Sequence, residues 1–353
     1  MNKFLPQTTE FDLKKDILNL NVSSSSSLSL DNVSKITKHY HNGLSRYTEN
    51  IKIEITTDIK RCEVLWKEFS PMQSLFDTWN FRYSFYQGYK FPLYFLTIKK
   101  ENEPLALLPL CYNESKKIYQ WFGTDWQEDN GFLAKDYFYI PILLFLAPRP
   151  ISLNAITAIT ADKIPSFVKL DKDDPKFILD VKNLRSVDGY LSSLKKKKRY
   201  NLKRDRKHIM AHNPKIVINE FSDYDEMIEI CKKRFVQKGQ IADFQEDPAT
   251  VSIFKNIIAN GSGVYEPKMV SVFIHGELAG ADLITIYKDS YYPLHGGGYD
   301  TERYSGIGNF MNLIEIQDAI SMGMEKVDML QYDYGWKHSW FPETPLFIYY
   351  EPR

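Results

Sequence analysis

The sequence predicts an α+β fold of two tandem units, each a mixed, mostly antiparallel sheet flanked by helices. Three observations carry that expectation. The chain has 353 residues, 43% hydrophobic and 14% aromatic, which exceeds one ordinary core and suits two domains of roughly 100–200 residues each. Runs of alternating hydrophobicity are interleaved with runs of helical period. A strand-turn-strand pattern occurs twice, as "FPLYFLTIKK-ENEP-LALLPLCYN" and as "MVSVFIHGELAGADLITIY"; setting Glu103–Ala106 over Gly276–Ala279 aligns Leu105 with Leu278 and Ala106 with Ala279.

Residues 1–50, with the run Ser23–Ser27 and little periodicity, read as a flexible tail. The first unit, 51–170, opens on the alternation Ile51–Ile55 and continues with helical stretches around Trp66, Phe69 and Trp79–Tyr86 before its hairpin. Its most apolar run, Tyr137–Ala147, is about half the span of a membrane helix and is interrupted by Pro141, so it reads as core, with peripheral membrane contact as the lesser alternative. The second unit, 175–353, opens on the strand Lys176–Val181. Ser186 suits an N-cap, after which Leu191, Leu194, Leu202 and Ile209 fall within an arc of roughly 80° on one long helix. Helices at Tyr224–Gln237 and Pro248–Ala259 precede the second hairpin. Then come the strand "SYYPLHGGGYD", a helix burying Phe310, Leu313, Ile314, Gln317 and Ile320 and capped by Gly323, the strand "KVDMLQ", and a last strand "LFIYY".

Net charge is zero, with 45 basic and 45 acidic residues, which argues against a dedicated nucleic-acid protein. Charge is nevertheless concentrated locally: nine Lys or Arg lie among the thirteen residues Lys195–Lys207, with Asp205 the only acid. Cys62, Cys111 and Cys231 are too scattered for a disulfide framework or zinc site, and His208 and His212, at i and i+4, lack a third ligand. No metal and a cytoplasmic location are expected. The start "MNKFLPQTTEFDLKKD" lacks the apolar stretch of a signal peptide.

Arg303, Gly306 and Gly308 form the pattern R-x-x-G-x-G between a strand and a helix. Glycines permit close backbone approach, and the N–H groups and positive end of the helix favour an anion there. Neither the P-loop nor the dinucleotide fingerprint has this spacing. The pattern resembles the pyrophosphate loop of GNAT acyltransferases, which hold acyl-coenzyme A. Together with "LWKEFS", "FDTWN", "LALLPLCYN", "QWFGTDWQEDNG", "LKKKKRYNLKRDRKH", "LAGADL" and "DMLQYDYGWKHSWF", in that order over about residues 51–350, it resembles the FemAB-like branch. That branch includes the CelD-like (BioF2-like) acetyltransferases, built from two GNAT-like units.

The resemblance implies that Arg303, Ser305, Gly306, Ile307, Gly308 and Asn309 wrap the donor phosphates, and that the strand Tyr291–Gly298, Leu294 included, splays from its neighbour to receive the thioester arm. It implies that Lys337 stabilises the oxyanion, that Tyr334 and Trp336 line the same wall, and that Lys198, Arg199 and Asn201 contact an anionic acceptor or the donor. For the general base, Asp333 and His295 rank first, ahead of Asp125 and Asp129. The first unit lacks R-x-x-G-x-G and is expected to be degenerate, with a cleft between the units. "HGGG" at His295–Gly298 resembles a hydrolase oxyanion segment, but no G-x-S-x-G accompanies it.

The implied activity is acyl transfer from acyl-coenzyme A to an amine, or a hydroxyl, of a small-molecule, glycan or peptide precursor of the cell envelope or a polysaccharide. The alternatives are a FemAB-type aminoacyltransferase using aminoacyl-tRNA, for which the coiled-coil arm is lacking, and an idle GNAT-fold binding module.

Overall fold

The computed structural model describes Tyr47 and residues 51–237, 239, 241 and 243–352. The expected tail lies outside the described residues except for Tyr47, which is buried and whose hydroxyl donates to Asp136 Oδ2 at 2.8 Å.

The first unit runs β1 (Ile51–Thr56), α1 (Ile59–Phe69), α2 (Trp79–Tyr89), β2 (Leu93–Lys100), β3 (Glu103–Asn113), β4 (Ile118–Trp121), β5 (Leu133–Ala134), α3 (Ile140–Leu146), β6 (Ile151–Thr157), α4 (Ala158–Ala161) and β7 (Asp171–Lys172). Asp58 and Thr78 cap α1 and α2, accepting the N–H of Arg61 and Phe81. The apolar run around Pro141 is α3, whose Ile140, Ile142 and Leu143 are fully buried, so it is core and no membrane contact.

The second unit runs β8 (Lys176–Asp180), α5 (Val187–Ser193), α6 (Lys196–Met210), β9 (Lys215–Ile218), α7 (Asp223–Gln237), α8 (Asp243–Glu246), α9 (Ala249–Asn260), β10 (Glu266–Ile274), β11 (Glu277–Tyr287), β12 (Ser290–Tyr299), α10 (Ile307–Ser321), β13 (Lys326–Gln331), β14 (Glu343–Thr344) and β15 (Leu346–Glu351). The single basic helix expected after Ser186 is two helices. Leu194 is extended (φ −78°, ψ 154°) and turns the chain between α5 and α6, so that Leu191 and Leu202 reach one core beside α10.

The two sheets have the same plan. One is ordered β1-β2-β3-β4-β6-β15-β7, with β5 also on β3, and the other β9-β10-β11-β12-β13-β8-β14. Each hairpin, β2–β3 and β10–β11, occupies the same place, and each sheet has one parallel neighbour pair at the same position, β4–β6 and β12–β13. The sixth strands arise differently: β8 opens the second unit and pairs within its sheet, whereas β15 ends the second unit but pairs in the first. "LFIYY" therefore does not complete its own unit. That pairing ties the units together, since the first sheet is not complete without β15 from the second half of the chain.

Where a cleft is expected, much of the interface is a shared aromatic core. Phe76, Phe81 and Phe85 of the first unit pack with Tyr224, Phe254 and Tyr292 of the second, the Phe76 and Tyr292 rings meeting edge to face at 5.9 Å.

Candidate active site

The glycine motif places Gly306 at the N-cap of α10 with φ +88°, a left-handed conformation that glycine adopts without strain. A Cβ there would lie 2.8 Å from Asp205 Cβ, and one on Gly308 would lie 3.1 Å from the Tyr299 ring. The N–H groups of Gly308 and Asn309 belong to the first turn, which has no intrahelical acceptors, and the helix dipole adds positive potential. The side chain facing this end is Asp205 from α6, whose Oδ2 accepts from Asn309 Nδ2 at 2.7 Å and whose Oδ1 accepts from Arg204. The protein thus supplies a carboxylate where an anion is favoured. Gly306→Ala should cost about 1–2 kcal/mol through the left-handed backbone alone, plus displacement of Asp205, read as a lower urea midpoint with unchanged slope.

The parallel pair β12–β13 is joined only at Ser290↔Lys326 and Tyr291↔Val327; beyond those residues the strands part. β13 then bulges after Asp328, with Leu330 at φ +64°. A buried charge cluster stands at this opening. Lys176 Nζ, on a fully buried side chain, is 2.8 Å from Asp129 and Asp328 and 3.3 Å from Glu128 Oε2. Burial pulls the Lys176 ammonium down, but the three carboxylates outweigh it and hold its pKa well above the ordinary value.

Glu128 and Asp129 come from the first unit, on the loop between Phe122 and Gly131. Arg82, fully desolvated, donates to Phe122 O and Asn130 Oδ1, and Asn130 Nδ2 donates to Gln127 O and Asn154 O. These bonds make the loop a rigid bracket. Glu128 Oε1 accepts the Gln331 N–H at 2.8 Å, while Oε2 accepts no hydrogen bond among the described residues. Burial, with Lys176 opposing and Asp328 adding, pushes the Glu128 carboxyl up to about 7.

Residues 196–338 match the family model of the GNAT acetyltransferase domain. The chain is an N-acetyltransferase-like enzyme. Solved structures of similar fold include FemX (11% identity, 84% of this chain and 97% of that one, TM-score 0.55). Others are a tandem GNAT protein from the clavulanic acid biosynthesis pathway (8%, 86% and 99%, 0.51) and a conserved protein of unknown function from Bacteroides thetaiotaomicron (12%, 93% and 99%, 0.50). No curated protein sequence matches.

Several residues of the GNAT domain sit differently from the expectation. Lys337 is buried, and its ammonium donates to Met329 O at 2.6 Å, Gln331 O at 2.8 Å and Leu330 O at 3.4 Å. Its three protons fasten the β13 bulge, so none is left to meet an oxyanion. Burial lowers its pKa to about 8 against the pull of Glu128, Asp328 and Asp333. Asp333 caps the following turn, accepting the His338 N–H at 3.0 Å and pairing with the His338 ring; desolvation raises its carboxyl, but those contacts together hold it below the ordinary range, which makes it a poor base. His295 is buried against Phe254, ring centroids 5.0 Å apart, and burial with the nearby Arg234 charge lowers it to about 3. Neither first-ranked base is therefore placed to take a proton.

In the cradle, Ile307 and Leu294 are core side chains, and the Ile307 N–H is used by Tyr304 O. Ser305 is exposed, and Arg303 stands at the rim in ion pairs with Asp300 and Glu277. Lys198 leaves the seam of α6 to donate to Ser339 Oγ at 2.9 Å, with Nζ 4.7 Å from the Trp340 ring centroid. Arg199 donates to Ser192 O, Asn201 is half-buried, Tyr334 is exposed, and Trp336 packs against Trp340 and Phe341. Asp125 is ion-paired with Lys116 on the surface. The sequence signal for Glu128 was the acidic pair in "QWFGTDWQEDNG", where only the neighbouring Asp125 and Asp129 had been weighed.

Proposed function

We propose that the enzyme transfers an acyl group from acyl-coenzyme A to an amine, or less readily a hydroxyl, with the reacting atoms in the opening between β12 and β13. The carrying observation is the coincidence of that opening with Glu128, a buried carboxyl near neutrality whose Oε2 stands in the Lys176 ion cluster and accepts no hydrogen bond among the described residues. The cradle fits a donor's phosphates at Gly308 and Asn309, with Gly306 keeping the approach open and Arg303 at the rim; Asp205 has to yield or share Asn309. Bound acyl-coenzyme A supplies an acyl carbon activated as a thioester.

Glu128 Oε2 takes the proton lost by the acceptor nitrogen as its bond to the acyl carbon forms; the carbon–sulfur bond breaks to release the thiolate, and the proton on Glu128 passes to it, giving the thiol and restoring the carboxylate. Lys176 remains charged between Asp129 and Asp328. Lys337 is a positioning residue that fixes the β13 bulge. Backbone groups on the parted edge of β12 face the acyl carbonyl. The division at 51–170 and 175–353 acquires a purpose in this reading: the first unit, without a cradle, delivers the base. We assign the acceptor to cell-envelope or polysaccharide precursors, supported by the FemAB-like order of motifs. Calorimetric titration with acetyl-coenzyme A and longer acyl-coenzyme A should show micromolar binding, abolished by Gly306→Val and weakened by Arg303→Ala. Absence of binding at every chain length would remove the coenzyme A donor.

A further inference from the structure

Helix α6 has two opposed faces. Leu202, Asp205 and Ile209 are buried. At 100° per residue, Lys196, Tyr200, Lys203, Lys207 and Met210 fall on the other side, within an arc of roughly 80° that points out of the molecule. The three lysines are exposed, and none makes an ion pair among the described residues; on this helix only Arg204 and Arg206 do. Tyr200 is 67% exposed and Met210 51%. Around Tyr200, the side chains of Lys196, Lys197, Arg199 and Lys203 border an open pocket of about 590 Å³.

The edge strand β9 continues this side. Ile216 and Ile218 are exposed, and they stand opposite Val272 and Val270, which belong to the core under α6 and α10. Facing residues of an antiparallel pair project to the same side of the sheet. The two isoleucines therefore emerge on the side that α6 covers.

We propose that this side of the second unit docks on an anionic bilayer surface, headgroup phosphates meeting the lysines while Tyr200, Met210 and the two isoleucines enter the interface. Unneutralised lysines beside large exposed apolar side chains are the make-up of an interfacial helix. A single-stranded nucleic acid would call for a track of stacking rings, whereas this surface offers one aromatic residue and three aliphatic ones. No described helix is long and apolar enough to cross a membrane, so the contact is peripheral. Joined to the acyl-transfer reading, on which only this clause rests, the surface presents a lipid-anchored acceptor to the site, because α6 borders both the cradle, through Asp205, and the turn holding Lys337, through Lys198.

The test is co-sedimentation of the full chain with vesicles of phosphatidylcholine alone and vesicles containing about a third phosphatidylglycerol, each with and without polyuridylate competitor. Binding to the anionic vesicles only is expected. Replacing Lys196, Lys203 and Lys207 together by Ser should weaken it on the order of a hundredfold, from about one kcal/mol per lysine. Tyr200→Ser with Met210→Ser should weaken it several-fold at unchanged charge, with circular dichroism confirming the fold. Absence of binding to anionic vesicles overturns the proposal, as does polyuridylate binding that the vesicles fail to displace. Vesicle binding needs no turnover, so it fails or succeeds independently of the donor reading.

Discussion

Glu128→Gln should lower kcat by on the order of 10²–10⁴-fold with any amine acceptor while leaving donor binding intact, because the amide keeps the shape but cannot take a proton. The wild-type rate should rise with pH through about 7 as Glu128 ionises and fall above about 8, where Lys337 loses the proton that fastens β13. In the Gln variant the rising limb should disappear. Stability moves the other way across the same window. The folded pKa of Glu128 lies above its unfolded value of about 4.3, so its protonated form stabilises the fold fully below that value, and the contribution is lost as pH rises through about 7. Thiol release across pH checks the first trend, and denaturant midpoints check the second.

Lys176→Met should be the most damaging single change to stability. It removes the cation from a fully buried ion cluster and leaves Glu128, Asp129 and Asp328 facing one another, a loss of about 3–5 kcal/mol. Without the ammonium the Glu128 and Asp328 carboxyls titrate higher, so the deficit should shrink as pH is lowered from neutrality to about 5. Urea unfolding at both pH values measures it. An equal deficit at both would mean that lost packing against Phe76 and Tyr292, rather than charge, dominates. The cluster joins side chains of both units, so the two should lose structure together in that variant.

The paired hairpins were legible because their signal is local: alternation, a turn, and the small residues at Ala106 and Ala279. The cradle was legible for the same reason, since Gly306 and Gly308 are needed by backbone geometry within four residues of one another. The crossing of β15 to the first sheet left no local trace, because its alternation suits either sheet. Lys337 was found as a residue but misread in role, since the carbonyls that take its protons are freed by a bulge that spacing does not reveal. The setting of Glu128 was not legible, because its carboxyl is raised by burial and then by Asp328, two hundred residues later in the chain, against the pull of Lys176. Asp205 escaped as well: within a run of cations it looked incidental, yet it meets the cradle.

In the proposed reading, the cradle on α10 and the opening between β12 and β13 form one donor site, completed by a carboxylate from the first unit. A crystal structure with coenzyme A bound tests it most directly. Phosphates are expected on the N–H groups of Gly308 and Asn309, with Asp205 turned from Asn309 and the thiol end in the β12–β13 opening beside Glu128. Coenzyme A held elsewhere, or with its thiol directed away from Glu128, would contradict it.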